Sequence, residues 1–267
     1  MGRLLKIVSA PDEWITDFAP TEECLRSSDA DIFTFWQRFP NTKPCFSYTW
    51  KGTTSRVLEV GNYAHWWNEQ ISKKTRNMVR KAAKREIVMK TVGFSDSLAR
   101  GIVKIYNEKP IRQRRPFRHY GETVEEVTER FSPWIGTSDF AGAYYGDELV
   151  GFIHIISTDK YVLLSQIISY ESQRDKAVNN ALISKAVEIC VDKGVRYLIY
   201  ARMSGGGLGR FKRKNGFMKK LVPRYYIPLS LKGELALALR LHHGVKELLP
   251  ERVKEVLRPL KEAYDRF

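Results

Sequence analysis

The stretch from Asp139 to Ala201 constrains what this chain can become more than any other. Three apolar runs, DFAGAYYG, ELVGFIHIIST and YVLLSQIISY, are separated only by the turn pairs Gly146-Asp147 and Asp159-Lys160. Links that short join antiparallel neighbours, so the runs predict a meander. Next comes KAVNNALISKAVEICVDKG (176–194), with Leu182, Ala186, Ile189 and Cys190 on one stripe and Gly194 at its end, the pattern of an amphipathic helix with a glycine stop. VRYLIYA (195–201) is strand-like again. A meander followed by a strand–helix–strand unit makes a mixed sheet covered by helices, an α/β (α+β) chain whose strands run mostly antiparallel.

The flanks fit that frame. Residues 1–62 are short apolar fragments broken by Pro, Asp and Gly, and FSYTWKG and TSRVLEVGNY alternate as strands do. They predict an N-terminal extension ahead of a main domain over 63–231. YAHWWNEQISKKTRNMVRKAAKRE predicts one long helix from Tyr63, with Trp67, Ile71, Met78, Val79 and Ala82 as its buried stripe. IVMKTVGF is a strand, SDSLARGIVKIYNEK a helix capped by Ser95 or Ser97, IRQRRPFRHYGE a basic loop, TVEEVTERF a helix and PRYYIPLSL (223–231) the last strand. From Lys232 to Phe267 the spacing of Leu249, Val253, Val256, Leu260, Ala263 and Phe267 predicts a C-terminal helical tail that docks on the domain or on a second copy.

Charge narrows the partners. The 45 Lys and Arg against 30 Asp and Glu leave +15, an excess that favours polyanions. Twenty of those cations fall in 73–90, 109–118 and 210–224, and no acid lies between Ser72 and Arg85. Lys73, Arg76, Arg80 and Lys84 are therefore candidate contacts to a nucleic-acid backbone, with Trp66, Trp67, Phe117 and Tyr120 as candidate stacking platforms. Cys24, Cys45 and Cys190 are odd in number and lack metal-ligand spacing, and His242-His243 has no third ligand nearby, so no metal is expected. The N-terminal residues have no signal-peptide pattern and no apolar run reaches the length of a membrane span, so a cytoplasmic protein is expected.

Two phrases carry chemistry: SKKTRNMVRKAAKREI ahead of the strand at 87, and GRFKRKNGF (209–217) after VRYLIYA and a near side-chain-free SGGG. Locally the second is a short helix with Phe211 as core anchor, Lys212, Arg213 and Lys214 as a solvated face, and Gly216 as its left-handed end. In this order around these elements, the phrases resemble the GNAT acyltransferases over roughly residues 64–230, and within that superfamily the Fem-type peptidyltransferases and their single-domain relatives. The resemblance implies a GNAT-like fold and acyl transfer to an amine acceptor. It implies that the turn ESQRDKAVNNAL holds the pyrophosphate of acetyl-CoA or another acyl-CoA, through Arg174, Lys176, Ala177, Asn179 and Asn180, although the two glycines of the family's loop are replaced here by Ala177 and Asn179. It also puts Lys212 where many members carry a tyrosine acid. A fixed ammonium there stabilises the oxyanion of a carbonyl under attack. The lysine favours an ester donor such as aminoacyl-tRNA, whereas the commoner donor of the fold is acyl-CoA. A non-catalytic nucleic-acid-binding module on the same fold is the contrasting expectation. Glu171, Asp175 and His119 are the candidate general bases, and an amine near its own pKa can also lose its proton to water.

Overall fold

The structure is a computed structural model that describes residues 5–9, 29–113, 115–202 and 206–241. Cys24, His242-His243 and the apolar stripe from Leu249 to Phe267 lie outside these residues. Backbone contacts divide the chain into two compact units, one of residues 54–220 and a smaller one formed by the segments on either side. The larger unit begins at 54 because the second half of its first strand pairs antiparallel with the strand at Tyr197, so residues 55–59 belong to the main sheet.

In the smaller unit β1 (Ile7–Ser9) runs parallel to β2 (Ile32–Trp36). The next strand, β3 (Thr49–Glu59), begins in the smaller unit and ends in the larger one.

In the larger unit the helix expected from Tyr63 is interrupted. Residues Tyr63–His65 form a single α-turn, Trp66–Gln70 wind into a π-turn, and Ile71 is extended. A new helix, α1 (Lys73–Lys84), starts after Ser72, whose hydroxyl accepts from the Thr75 N–H. Ser72 is a good N-cap, and a cap ends the preceding turn as well as starting the next. The Trp66 ring locks the break, fully buried with Nε1 donating to Asn215 O at 3.1 Å.

β4 (Ile87–Val92) leads to α2 (Asp96–Tyr106), capped by Ser95, and then to the hairpin β5 (Ile111–Arg112) and β6 (Arg115–Pro116). α3 (Val124–Phe131) opens on a capping box made by Thr123 and Glu126. The meander follows as β7 (Ser138–Tyr145), β8 (Glu148–Ser157) and β9 (Tyr161–Ser169), with Gly146 at φ 59° in the first turn. α4 (Val178–Asp192), β10 (Tyr197–Arg202) and α5 (Gly206–Lys214) complete the unit. Within it the strand order is β3-β10-β9-β8-β7-β4, antiparallel throughout except for β9 beside β10.

β8 is buried along nearly its whole length because helices cover both faces of the sheet. Val150, Ile153 and Ile155 join the cluster under α4 and α1, while Leu149 and Phe152 join the one under α2 and α3. Gly151 lets α4 come close: a Cβ there would stand 2.7 Å from Val178 Cγ1 and 2.9 Å from Ser169 Cβ. This contact seats the first turn of α4 at the end of β9, where the site lies.

The chain returns to the smaller unit through β11 (Met218–Pro228), antiparallel to β2, and ends its described part in α6 (Leu231–Ala238). Phe33, Phe35, Tyr225, Phe46 and Tyr48 form the aromatic core of that unit. The helix expected from Lys232 is seen over its first turns only, and the remainder of the tail is outside the described residues.

Candidate active site

β9 and β10 are in register for three pairs, Tyr197 with Tyr161, Leu198 with Val162 and Ile199 with Leu163. β9 continues to Ser169 and β10 to Arg202, so beyond these pairs the two parallel strands diverge. Diverging strands leave carbonyls and N–H groups that the ladder no longer serves, and each must find another partner. Tyr200, the first residue past the last pair, finds one in Lys212: Nζ donates to Tyr200 O at 2.9 Å and stands 4.0 Å from the centre of the Tyr200 ring. Lys212 comes from α5 and is 3% exposed. Burial, with the Arg56 guanidinium adding to it, pushes its ammonium down to about 8. The solvated cationic face expected for 212–214 is therefore real for Arg213 and Lys214, which are exposed, but not for Lys212. Its backbone helps close the helix, since Phe217 N–H donates to Lys212 O and Gly216 sits at φ 91°.

On the other strand the splay is stitched to the loop after α2. The Glu108 carboxylate accepts the backbone N–H groups of Glu171 at 2.6 Å and Ser172 at 2.8 Å. Burial raises its pKa, but those N–H groups and the Arg112 charge outweigh burial and hold it below the usual range. The Arg112 guanidinium donates to Ser169 O at 2.9 Å, to Ile105 O and to Glu108 Oε2, and lies over the Phe117 ring. The sequence reading missed both residues; the only local sign was an acid and a base four apart where the expected helix gives way to the basic loop. Together they replace the missing strand neighbour of β9.

Between this loop and the diverging end of β9 lies a cavity of about 250 Å³, lined by Arg112, Arg115, Phe117, Ile167, Tyr170, Glu171, Arg174 and Asn179, among others. It gathers three residues expected from the sequence: the base candidate Glu171 and the turn residues Arg174 and Asn179. The other turn residues are placed differently. Lys176 Nζ sits 3.2 Å from the centre of the Tyr145 ring, so its charge is engaged on β7 and does not face the cavity. Asn180 lies instead in a second cleft with Lys74, Met78, Arg210 and Phe211, where its amide donates to Asn215 Oδ1 at 3.4 Å. Ala177 is buried and adopts φ 59°, ψ 30°, the left-handed conformation that glycine takes freely and that an L-residue adopts at a cost of about 1–2 kcal/mol. The turn has thus kept a glycine's backbone shape without the glycine.

His119 is not placed to take a proton from an acceptor. It is buried, its Nδ1 is 2.7 Å from Glu122 Oε1, and its Nε2 is within hydrogen-bond reach of Arg118 Nε and Gln166 Nε2. Its ring stacks on Tyr106, and burial lowers its pKa despite Glu122. Asp175, the other turn acid, is exposed.

The candidate nucleic-acid face is also reshaped. Lys73, Arg80 and Lys84 are exposed on α1, with Arg80 over the Trp67 ring. Arg76 is not available, because its Nη1 donates to Trp67 O, Asn68 O and Ile71 O and closes the π-turn before α1. Trp66 is removed from the stacking set by burial, and Phe117 lies beneath Arg112; Tyr120 is exposed. Among the described residues no cluster of His, Cys, Asp or Glu is arranged to hold a metal, and no helix is long and apolar enough to cross a membrane.

No known family matches the sequence, and no curated protein matches it. Solved structures do match in shape. L-PGS from Bacillus licheniformis superposes with a TM-score of 0.51 at 13% identity, over 79% of this chain and 72% of that one. FemX superposes at 0.50 and 9% identity, over 69% of this chain and 63% of its own. The fold is GNAT-like. This chain spans less than two thirds of FemX, and at such identities the likeness is one of fold alone. The divergence of β9 from β10, the turn into α4 and the lysine of α5 are what the chain's own residues define at this end of the sheet.

Proposed function

We propose that this protein transfers an acyl group from an activated ester or thioester to an amine at the splay between β9 and β10. The observation that carries the reading is the burial of Lys212 against the carbonyl of Tyr200, the first residue of β10 past its pairs with β9. In the proposed reaction the amine nitrogen attacks the donor carbonyl carbon, the oxygen gains negative charge, and the C–S or C–O bond to the carrier breaks as the carrier leaves. A preplaced ammonium shielded from water is worth most where that charge develops. Glu171, at the end of the opposite strand and partly exposed in the cavity, takes the proton released by the amine, directly or through water. The left-handed turn at Ala177 and the exposed Arg174 support an acyl-CoA donor, its diphosphate lying over the N-terminus of α4.

A second donor is favoured by a specific observation. Ala177 and Asn179 bring side chains to a loop that needs close backbone approach for a diphosphate, whereas Lys73, Arg80 and Lys84 remain exposed for an RNA backbone. Aminoacyl-tRNA is that donor. Incubating the purified protein with a panel of amines and either mixed acyl-CoA or charged tRNA, and reading amide products by mass spectrometry, separates the two. A Lys212→Met variant is expected to lose roughly 100- to 1000-fold in turnover. No amide from either donor, or full turnover in the variant, overturns the reading.

A further inference from the structure

Two residues that line the β9 cavity each carry a buried polar atom with no hydrogen-bond partner: Arg112 Nε, which can only donate, and Asn179 Oδ1, which can only accept. The Arg112 side chain is 10% exposed and its other nitrogens are fixed on Ser169 O, Ile105 O and Glu108, so the Nε–H is aimed by a rigid frame. Buried groups of this kind are rarely left unsatisfied in folded proteins. The same cavity is lined by Arg115 and Arg174, both exposed, and by the Glu171 carboxylate. It thus gathers guanidinium donors together with an amide acceptor and a carboxylate.

We infer that this cavity is a subsite for a small zwitterion, a primary amine joined by a short spacer to a carboxylate or phosphate. This inference rests on the acyl-transfer reading and specifies its acceptor. The anionic group of the ligand accepts from Arg112 Nε and meets Arg115, a charge-assisted contact that planar guanidinium groups make well. The amine lies at Asn179 Oδ1 and Glu171, so the group to be acylated sits beside the carboxylate that takes its proton. The volume, about 250 Å³, is below the usual range for drug-sized ligands and suits a molecule of amino-acid size or the amino end of a larger one. An amine without an anionic group would leave Arg112 Nε unserved.

The test uses matched pairs: L-alanine against L-alaninamide, and O-phosphoethanolamine against ethanolamine, each titrated into the full-length protein and read by saturation-transfer NMR. At least one of L-alanine and O-phosphoethanolamine is expected to bind tenfold or more tightly than its partner that lacks the anionic group, and which one does so identifies carboxylate or phosphate as the anchor. Arg115→Gln, a surface change, is expected to weaken that probe at least fivefold without shifting Tm. Equal binding of the members with and without the anionic group, or no binding of either L-alanine or O-phosphoethanolamine, overturns the inference and leaves the two atoms served by water. Binding without amide formation from any donor would instead refute the acyl-transfer reading and keep the subsite, while amide formation on simple amines with no charge preference would do the reverse.

Discussion

Replacing Lys212 by Met tests the site through stability as well as through turnover. The folded ammonium titrates at about 8 and the unfolded one at 10.5. A lysine whose pKa falls on folding releases its proton more readily in the folded state, so the unfolded chain binds more protons between those values and stability rises as pH increases through them. At neutral pH the charged lysine costs the fold about 3 kcal/mol relative to its neutral form, from 2.5 units at about 1.4 kcal/mol each. Raising pH from 7 to 9 should recover about 1.4 kcal/mol of that cost. The Met variant has no such group. Its side chain fills similar apolar space but leaves Tyr200 O without the Nζ donor, a loss of about 1–3 kcal/mol for a buried carbonyl. Urea denaturation of both proteins at pH 7, 8 and 9 separates the two effects. The lost hydrogen bond shifts the variant by a constant, whereas the titration makes the difference between the two proteins change with pH. Taking that difference also cancels groups common to both, including Cys190, whose thiol burial pushes up to about 12. A difference unchanged from pH 7 to 9 would refute both the burial of a charged Lys212 and its proposed role.

Other expectations follow from single contacts. Arg76→Ala should cost about 1–3 kcal/mol in chemical denaturation, because three carbonyls lose their donor, whereas Arg80→Ala and Lys84→Ala should cost almost nothing. If α1 touches RNA, those two surface changes should flatten the salt dependence of tRNA affinity in filter binding by about one unit of log–log slope each. Gly151→Ala should destabilise by about 1–3 kcal/mol, since its new Cβ meets Val178 and Ser169 below contact distance, and a Tm equal to wild type would contradict the seating of α4. Acidification should destabilise the fold: burial lowers His154 to about 4, so the unfolded chain binds a proton that the folded one refuses as pH falls from 6.5, and about 2 kcal/mol should be lost by pH 4.5. A His154→Phe variant should lose less over the same range, as read by guanidinium unfolding.

Much of the architecture was legible in local sequence. The turn pairs at Gly146-Asp147 and Asp159-Lys160, the stripe of Leu182, Ala186, Ile189 and Cys190, and the glycines at 194 and 216 act within a few residues of themselves, so their spacing predicts meander, helix and helix ends that the structure contains. What the sequence left open depended on partners far away along the chain. The helix from Tyr63 reads as continuous by periodicity, yet it breaks where Trp66 meets Asn215 O and Arg76 gathers carbonyls, contacts worth more than the propensity of a few intervening residues. Lys212 reads as one of three solvated cations, and only the divergence of β10 from β9 gives it a carbonyl to bury against. Lys176 and Asn180 read as one cluster with Arg174 and Asn179, but a turn through left-handed Ala177 sends them to different surroundings. The cavity itself exists because Glu108 and Arg112 bind the end of a strand some sixty residues later. Periodicity and turn chemistry are properties of neighbours in sequence, whereas burial of a charge and the lining of a cavity are set by which distant backbone groups the fold leaves unpaired.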